Sequence, residues 1–263
     1  MSIIPASKQE SFGHYYDQYG MAVQGGLRMA RPCRAFPSVT TIQSIAKNYG
    51  LERYKREQFA LSLLTTPRIR GETDEQFIDR ADEGANEHSS RAMEKGTHIH
   101  NLFENLDEIK LKIEEENELD QKRCRMLLDW KEKNILSIEK KESVVISKEY
   151  GFAGRFDTLA RMKDGTKTGE RVLLDLKTCV PKDGKMVPWP SYCVQLSAYL
   201  IALGEDIPTA NIMFSSTEDL AIELHRWSDE ETKKAKLAFL GLVAYWQWSN
   251  KYWPHTEGNT NVP

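Results

Sequence analysis

Arg171-Val172-Leu173-Leu174-Asp175-Leu176-Lys177-Thr178-Cys179 decides how the chain is read. Its apolar, β-prone residues make it a strand. Strand side chains alternate faces, so Asp175 and Lys177 project on one side while Leu174 and Leu176 project on the other. A carboxylate and an ammonium on an otherwise apolar strand are expensive to bury without partners. Either they form a structural ion pair, or they stand at the edge of a sheet where something else binds.

Working outward, Val144 to Tyr150 and Phe152 to Met162 read as two strands around Gly151, with Asp164-Gly165 turning the chain back into the Asp/Lys strand. Pro181 to Pro190 is a loop, Ser191 to Leu203 a helix stopped by Gly204, and Ala210 to Ser215 and Leu220 to Trp227 two further strands. Ser228 caps a closing helix to about Lys251, with Leu237, Leu240, Ala244 and Trp248 at helical spacing. Upstream, Ser38 or Thr40 caps a short helix through Ala46. Leu51 to Leu64, Asp74 to Glu108 and Glu118 to Lys140 follow as helices, the last with Cys124, Leu127, Leu128 and Ile135 as its apolar positions. Residues 1–36 read as an irregular arm. This order predicts an α/β fold, a mixed central β-sheet flanked by helices with a helical N-terminal layer. The expected organisation is a single domain over 37–263, helical over 37–140 and with the sheet core over 141–263.

Composition narrows the classes. At 263 residues with 40% hydrophobic and 29% charged residues, the chain can bury a sizeable core, roughly three quarters of its unfolded surface. No apolar run is long enough to span a bilayer, and Met1 to Gln9 lacks the basic and apolar regions of a secretion signal, so a membrane partner is not expected. The four cysteines, Cys33, Cys124, Cys179 and Cys193, lack metal spacing and read as reduced cytosolic thiols. A net charge of −3 hides an asymmetry. Residues 1–70 carry 10 Lys/Arg against 4 Asp/Glu, and residues 71–120 carry 5 against 16. The first stretch permits a surface for a polyanion; chance clustering along helices produces the same count.

Other residues add chemistry. Asp157, in Gly154-Arg155-Phe156-Asp157, supplies a second carboxylate, and two carboxylates beside backbone carbonyls suit Mg²⁺ or Mn²⁺. Gly96, His100 and Glu104 stand four apart and share one face of the long helix, with His98 off that face. His100 there is either a metal ligand or a solvated histidine. Gln195 and Tyr199 share a face of the helix that follows the Asp/Lys strand.

The order Gly96-x3-His100-x3-Glu104, Gly154-Arg155-Phe156-Asp157, Asp175-Leu176-Lys177 and Gln195-x3-Tyr199 resembles the PD-(D/E)XK nuclease superfamily. Within it, the order is similar to the RecB-type branch that includes phage exonucleases and the mitochondrial genome maintenance exonuclease. The resemblance implies a restriction-endonuclease-like core and a metal-dependent deoxyribonuclease of DNA repair or recombination, an exonuclease on single-stranded or end-containing DNA. A structure-specific endonuclease and a catalytically inactive nucleic-acid-binding module are the alternatives. The implied metal ligands are His100, Asp157, Asp175 and the carbonyl of Leu176, holding Mg²⁺ or Mn²⁺. Lys177 would position the attacking water and stabilise the phosphate, Gln195 and Tyr199 would orient Lys177 or the phosphate region, and Glu104 would stand behind His100. Phe156 replaces the proline of the superfamily's name. Some members carry an iron–sulfur cluster on late cysteines. Here the last cysteine is Cys193, so none is expected. The implied setting is intracellular and cytoplasmic, bacterial or phage-encoded, with DNA and a recombination or single-strand-binding protein as partners and an oligomeric state that the residues do not specify.

Two further groups are candidate strand contacts. Ser38, Thr40 and Thr41 at a helix N-terminus, with Arg31 and Arg34 just upstream, form either a phosphate cradle or an ordinary cap. Tyr245, Trp246, Trp248, Tyr252 and Trp253 either stack unpaired bases or, at helical spacing beside Leu240 and Val243, belong to the core.

Overall fold

A computed structural model describes residues 3–5, 14–46, 49–111 and 113–254. Contacts divide the chain into two compact units, Met1–Ile45 with Leu106–Pro263, and Ala46–Asn105.

The larger unit opens with strand β1 (Ile3–Pro5), strand β2 (Tyr15–Tyr16), helix α1 (Gly26–Ala30), strand β3 (Phe36–Pro37) and helix α2 (Val39–Gln43). Residues 1–36 therefore carry short regular elements where an irregular arm was expected; residues 1–2 and 6–13, and with them most of the stretch examined for a secretion signal, lie outside the described residues. The smaller unit contains α3 (Tyr49–Thr65) and α4 (Asp74–Glu104). Then come α5 (Leu106–Ile109), α6 (Glu118–Asn134), β4 (Ile135–Ser147), β5 (Phe152–Met162), β6 (Glu170–Cys179), α7 (Pro190–Leu203), β7 (Thr209–Ser215), β8 (Ile222–Trp227) and α8 (Asp229–Asn250).

The sheet order is β1-β4-β5-β6-β7-β8, antiparallel throughout except for the parallel pair β6 and β7 that α7 connects. A parallel pair needs a crossover, and α7 is long enough to supply it. Helix α7 packs against β4 to β7 and against α8, while α6 packs against β4 and β8. This is the α/β architecture with a mixed central sheet flanked by helices. Its core gathers Phe152, Phe156 and Leu173 from the sheet with Leu196, Leu200, Phe239 and Trp246 from the helices. Phe152 and Phe239 meet edge to face with ring centroids 4.9 Å apart. Tyr252, just beyond α8, donates its hydroxyl to the carbonyls of Ala30 (3.0 Å) and Ala35 (2.8 Å), tying the two ends of this unit together.

Two helix limits differ from expectation. The helix read over Glu118 to Lys140 ends at Asn134, and β4 starts at Ile135, which is therefore a strand residue. The β4/β5 register slips between Ile135 and Ser137 and again between Ile138 and Lys140, and such irregularities remove the period-2 signal of a strand. The long helix stops at Glu104, Asn105 caps it, and a separate turn follows from Leu106. Thr73 and Gln76 form a reciprocal capping box at its start.

Candidate active site

The site lies where β5 and β6 part. Their register runs from Met162 opposite Glu170 to Thr158 opposite Leu174. Beyond that point Asp157 Oδ2 accepts the N–H of Leu176 at 2.9 Å, so a carboxylate takes a donor that the ladder no longer serves. Asp157 directly precedes Thr158, and Asp175 directly follows Leu174, the last pair of the β5/β6 ladder. The strand alternation that the sequence predicted therefore brings both carboxylates and Lys177 to one end of the sheet.

Asp175 is 1% exposed. Lys177 Nζ stands 3.1 Å from its Oδ1 and 2.9 Å from its Oδ2, and Asn211 Nδ2 donates to Oδ2 at 2.7 Å. Asn211 occupies the parallel neighbour β7 in register with Asp175, and its own Oδ1 accepts from Trp227 Nε1 at 2.7 Å. The buried charge is thus matched by an ammonium and an amide, the condition under which an ion pair survives burial.

Lys177 extends the network outward. Its Nζ donates to Gln195 Oε1 at 3.0 Å, and Gln195 Nε2 donates to the Tyr199 hydroxyl at 3.0 Å. Burial works to lower the Lys177 pKa, but the carboxylates of Asp175 and Asp157 outweigh it and hold the ammonium above its usual value. Lys177 is a permanent cation at neutral pH. Burial, reinforced by Asp175, raises Tyr199 well above an ordinary phenol, so its hydroxyl stays protonated. Gly154 makes room for that ring: a Cβ there would lie 2.6 Å from Tyr199 Cε1 and 2.9 Å from Val39 Cγ2. Tyr192 sets its ring 5.3 Å from Lys177 Nζ, within cation–π range.

The donor set fits a hard divalent cation. Asp157, Asp175 and the carbonyl of Leu176 offer oxygen ligands only, with no thiolate among them to favour a softer metal.

His100 and Glu104 lie on α4 in the smaller unit, both half-buried, with His100 Nδ1 3.1 Å from Glu104 Oε1. The i,i+4 spacing thus makes the pair that it predicts. Ser38 is buried and acts as the cap of α2: its Oγ accepts the N–H of Thr41 at 3.0 Å and donates to Thr41 Oγ1 at 2.8 Å. Thr40 is exposed with its Oγ1 3.0 Å from Ser38 Oγ, and Thr41 Oγ1 donates to the His14 carbonyl at 3.1 Å. Arg31 donates to the carbonyls of Asn250 and Lys251 at the end of α8, and Arg34 is exposed. Sequence reasoning missed Asn211, Trp227 and Tyr192. The one available signal was Asn211, a lone amide inside the apolar strand Ala210-Asn211-Ile212-Met213-Phe214.

No family model and no curated protein matches this chain. Among solved structures, it is similar to a putative exonuclease from Eubacterium rectale, with 14% identity and a TM-score of 0.40 over 63% of this chain and 69% of that one. It is also similar to an alkaline exonuclease from Laribacter hongkongensis, with 13% identity and a TM-score of 0.36 over 82% of this chain and 90% of that one. The roles of individual residues rest on the geometry above.

Proposed function

We propose that the protein is a metal-dependent deoxyribonuclease that hydrolyses phosphodiester bonds as an exonuclease on single-stranded or end-containing DNA. The observation that carries this reading is the meeting of Asp157, Asp175 and Lys177 at the point where the β5/β6 ladder ends, with Gln195 holding the lysine. A purely structural ion pair needs neither the second carboxylate nor the Gln195–Tyr199 chain.

Asp157, Asp175 and the Leu176 carbonyl would hold Mg²⁺ or Mn²⁺, which when bound stabilises developing negative charge and makes a water more acidic. The chain's own residues do the rest. Lys177 donates hydrogen bonds to the attacking water and to a phosphate oxygen. Gln195 fixes the direction of that ammonium, and the protonated Tyr199 fixes Gln195. Asn211 and Trp227 hold Asp175 in place from the neighbouring strands.

The test incubates linear and circular single-stranded DNA with Mg²⁺ or Mn²⁺, beside Asp175→Ala as control. Loss of linear DNA alone, absent from the variant, is the expected result. Cutting of both forms replaces the exonuclease by an endonuclease. Intact DNA in every lane, with binding retained, leaves a nucleic-acid-binding module.

A further inference from the structure

From Leu237 to Trp248 the exposed side of α8 is apolar. Leu237 is 72% exposed, Tyr245 57% and Trp248 68%, and Ala238, Gly241 and Ala244 between them are exposed as well. At 100° per residue these six share one stripe, while Phe239, Val243 and Trp246 on the opposite side enter the core. Tyr245 and Trp248 stand as neighbours with ring centroids 6.0 Å apart. Large aromatics kept in water along a stripe mark a binding surface.

Charge decides what binds there. No Asp or Glu occurs between Glu231 and Glu257, a stretch that holds Lys233, Lys234, Lys236 and Lys251. None occurs between Asp17 and Glu52 either, where Arg28, Arg31 and Arg34 stand. The fold joins the two acid-free stretches: Arg31 donates to the carbonyls of Asn250 and Lys251, and Tyr252 bonds back to Ala30 and Ala35. Lys251 is exposed at this end of α8, and Arg31, also exposed, is held there against the Asn250 and Lys251 carbonyls. A polyanion with exposed aromatic faces meets both demands, because a positive border draws the backbone while rings stack on bases.

We infer that the Tyr245/Trp248 end of α8, bordered by Arg31 and Lys251, is a stacking platform for unpaired nucleic acid, separate from the cluster at Asp175. The inference rests on the reading above only for the identity of the strand that arrives. Binding without hydrolysis tests it independently: the full chain is titrated in EDTA with fluorescein-labelled oligo(dT), read by anisotropy and tryptophan quenching. Trp248→Ala is expected to weaken binding about tenfold, with Tyr245→Ala weaker too and Trp248→Phe close to wild type. Lys251→Glu is expected to flatten the salt dependence, with quenching retained at saturation. Since Trp248 projects into solvent, the variant's circular dichroism should match wild type. Equal affinity of wild type and Trp248→Ala, no binding by the wild type, or a Trp248-dependent dimer in sedimentation would each overturn the platform. Oligo(dT) binding that needs Trp248, in a protein that cuts no DNA, would sustain it while the nuclease reading fell.

Discussion

Two regions of the larger unit reverse the usual sorting of side chains. At the β5/β6 edge a carboxylate, an amide and most of an ammonium are withdrawn from water; on α8 a tryptophan, a tyrosine and a leucine are left in it. The first reversal is stabilised by partners: Asp175 is met by Lys177 and Asn211, and Lys177 by Gln195. The second has no such compensation within the helix itself. Each forgoes hydrophobic stabilisation that an ordinary residue choice would provide. The difference separates a site that must be pre-arranged from a surface that need only be available.

Removing one member of the buried group should do the most damage. Asp175→Ala leaves the Lys177 ammonium and the Asn211 amide without their acceptor, so we expect loss of hydrolysis together with about 3–5 kcal/mol of stability, measured by urea unfolding. Asp175→Asn, which keeps the shape, should lose hydrolysis while regaining part of that stability. Neighbours on α8 then sharpen the contrast: Trp246→Ala, from the core side and 3% exposed, should cost about 3–5 kcal/mol. Trp248→Ala, two residues on, should stay within about 0.5 kcal/mol of wild type. Equal losses at the two positions would show that the stripe is covered in solution.

Tyr252 gives a pH handle on the same helix end. Burial, opposed by Arg31, pushes its phenol up to about 12 from an ordinary 10.0. A raised folded pKa means that its contribution is complete below pH 10 and is lost as pH climbs from 10 towards 12. Unfolding midpoints should fall across that window, and Tyr252→Phe should flatten the fall by on the order of 2 kcal/mol, at the expense of two hydrogen bonds at neutral pH. Gly154→Ala should cost about 1–3 kcal/mol by crowding the Tyr199 ring, and should slow hydrolysis through the displaced Gln195.

The legible parts of the fold are those where local pattern and tertiary role agree. Phe152 to Met162 and the Asp/Lys strand carry apolar residues that face a core on both sides, and their limits emerge within a residue. Residues 135–140 were illegible because β4 is irregular there and half in solvent, so neither period survives. That Asp175 and Lys177 share a face, and Gln195 and Tyr199 another, was readable from spacing, since strand alternation and helical repeat set which side chains project together. Asn211 and Trp227 were not, because their meeting with Asp175 depends on which strand pairs with β6 and in what register. The α8 aromatics misled for a related reason: helical spacing shows that residues share faces, but not which face the sheet will cover. Trp246 and Tyr252 went in, Tyr245 and Trp248 stayed out.

The hydrogen bond from Leu176 to Asp157 has one more implication. The carboxylate that would greet an arriving ion is also the last stitch in the seam between two strands, so occupancy and backbone integrity are sewn with the same thread. Unpicking it should let the two strands part from that end.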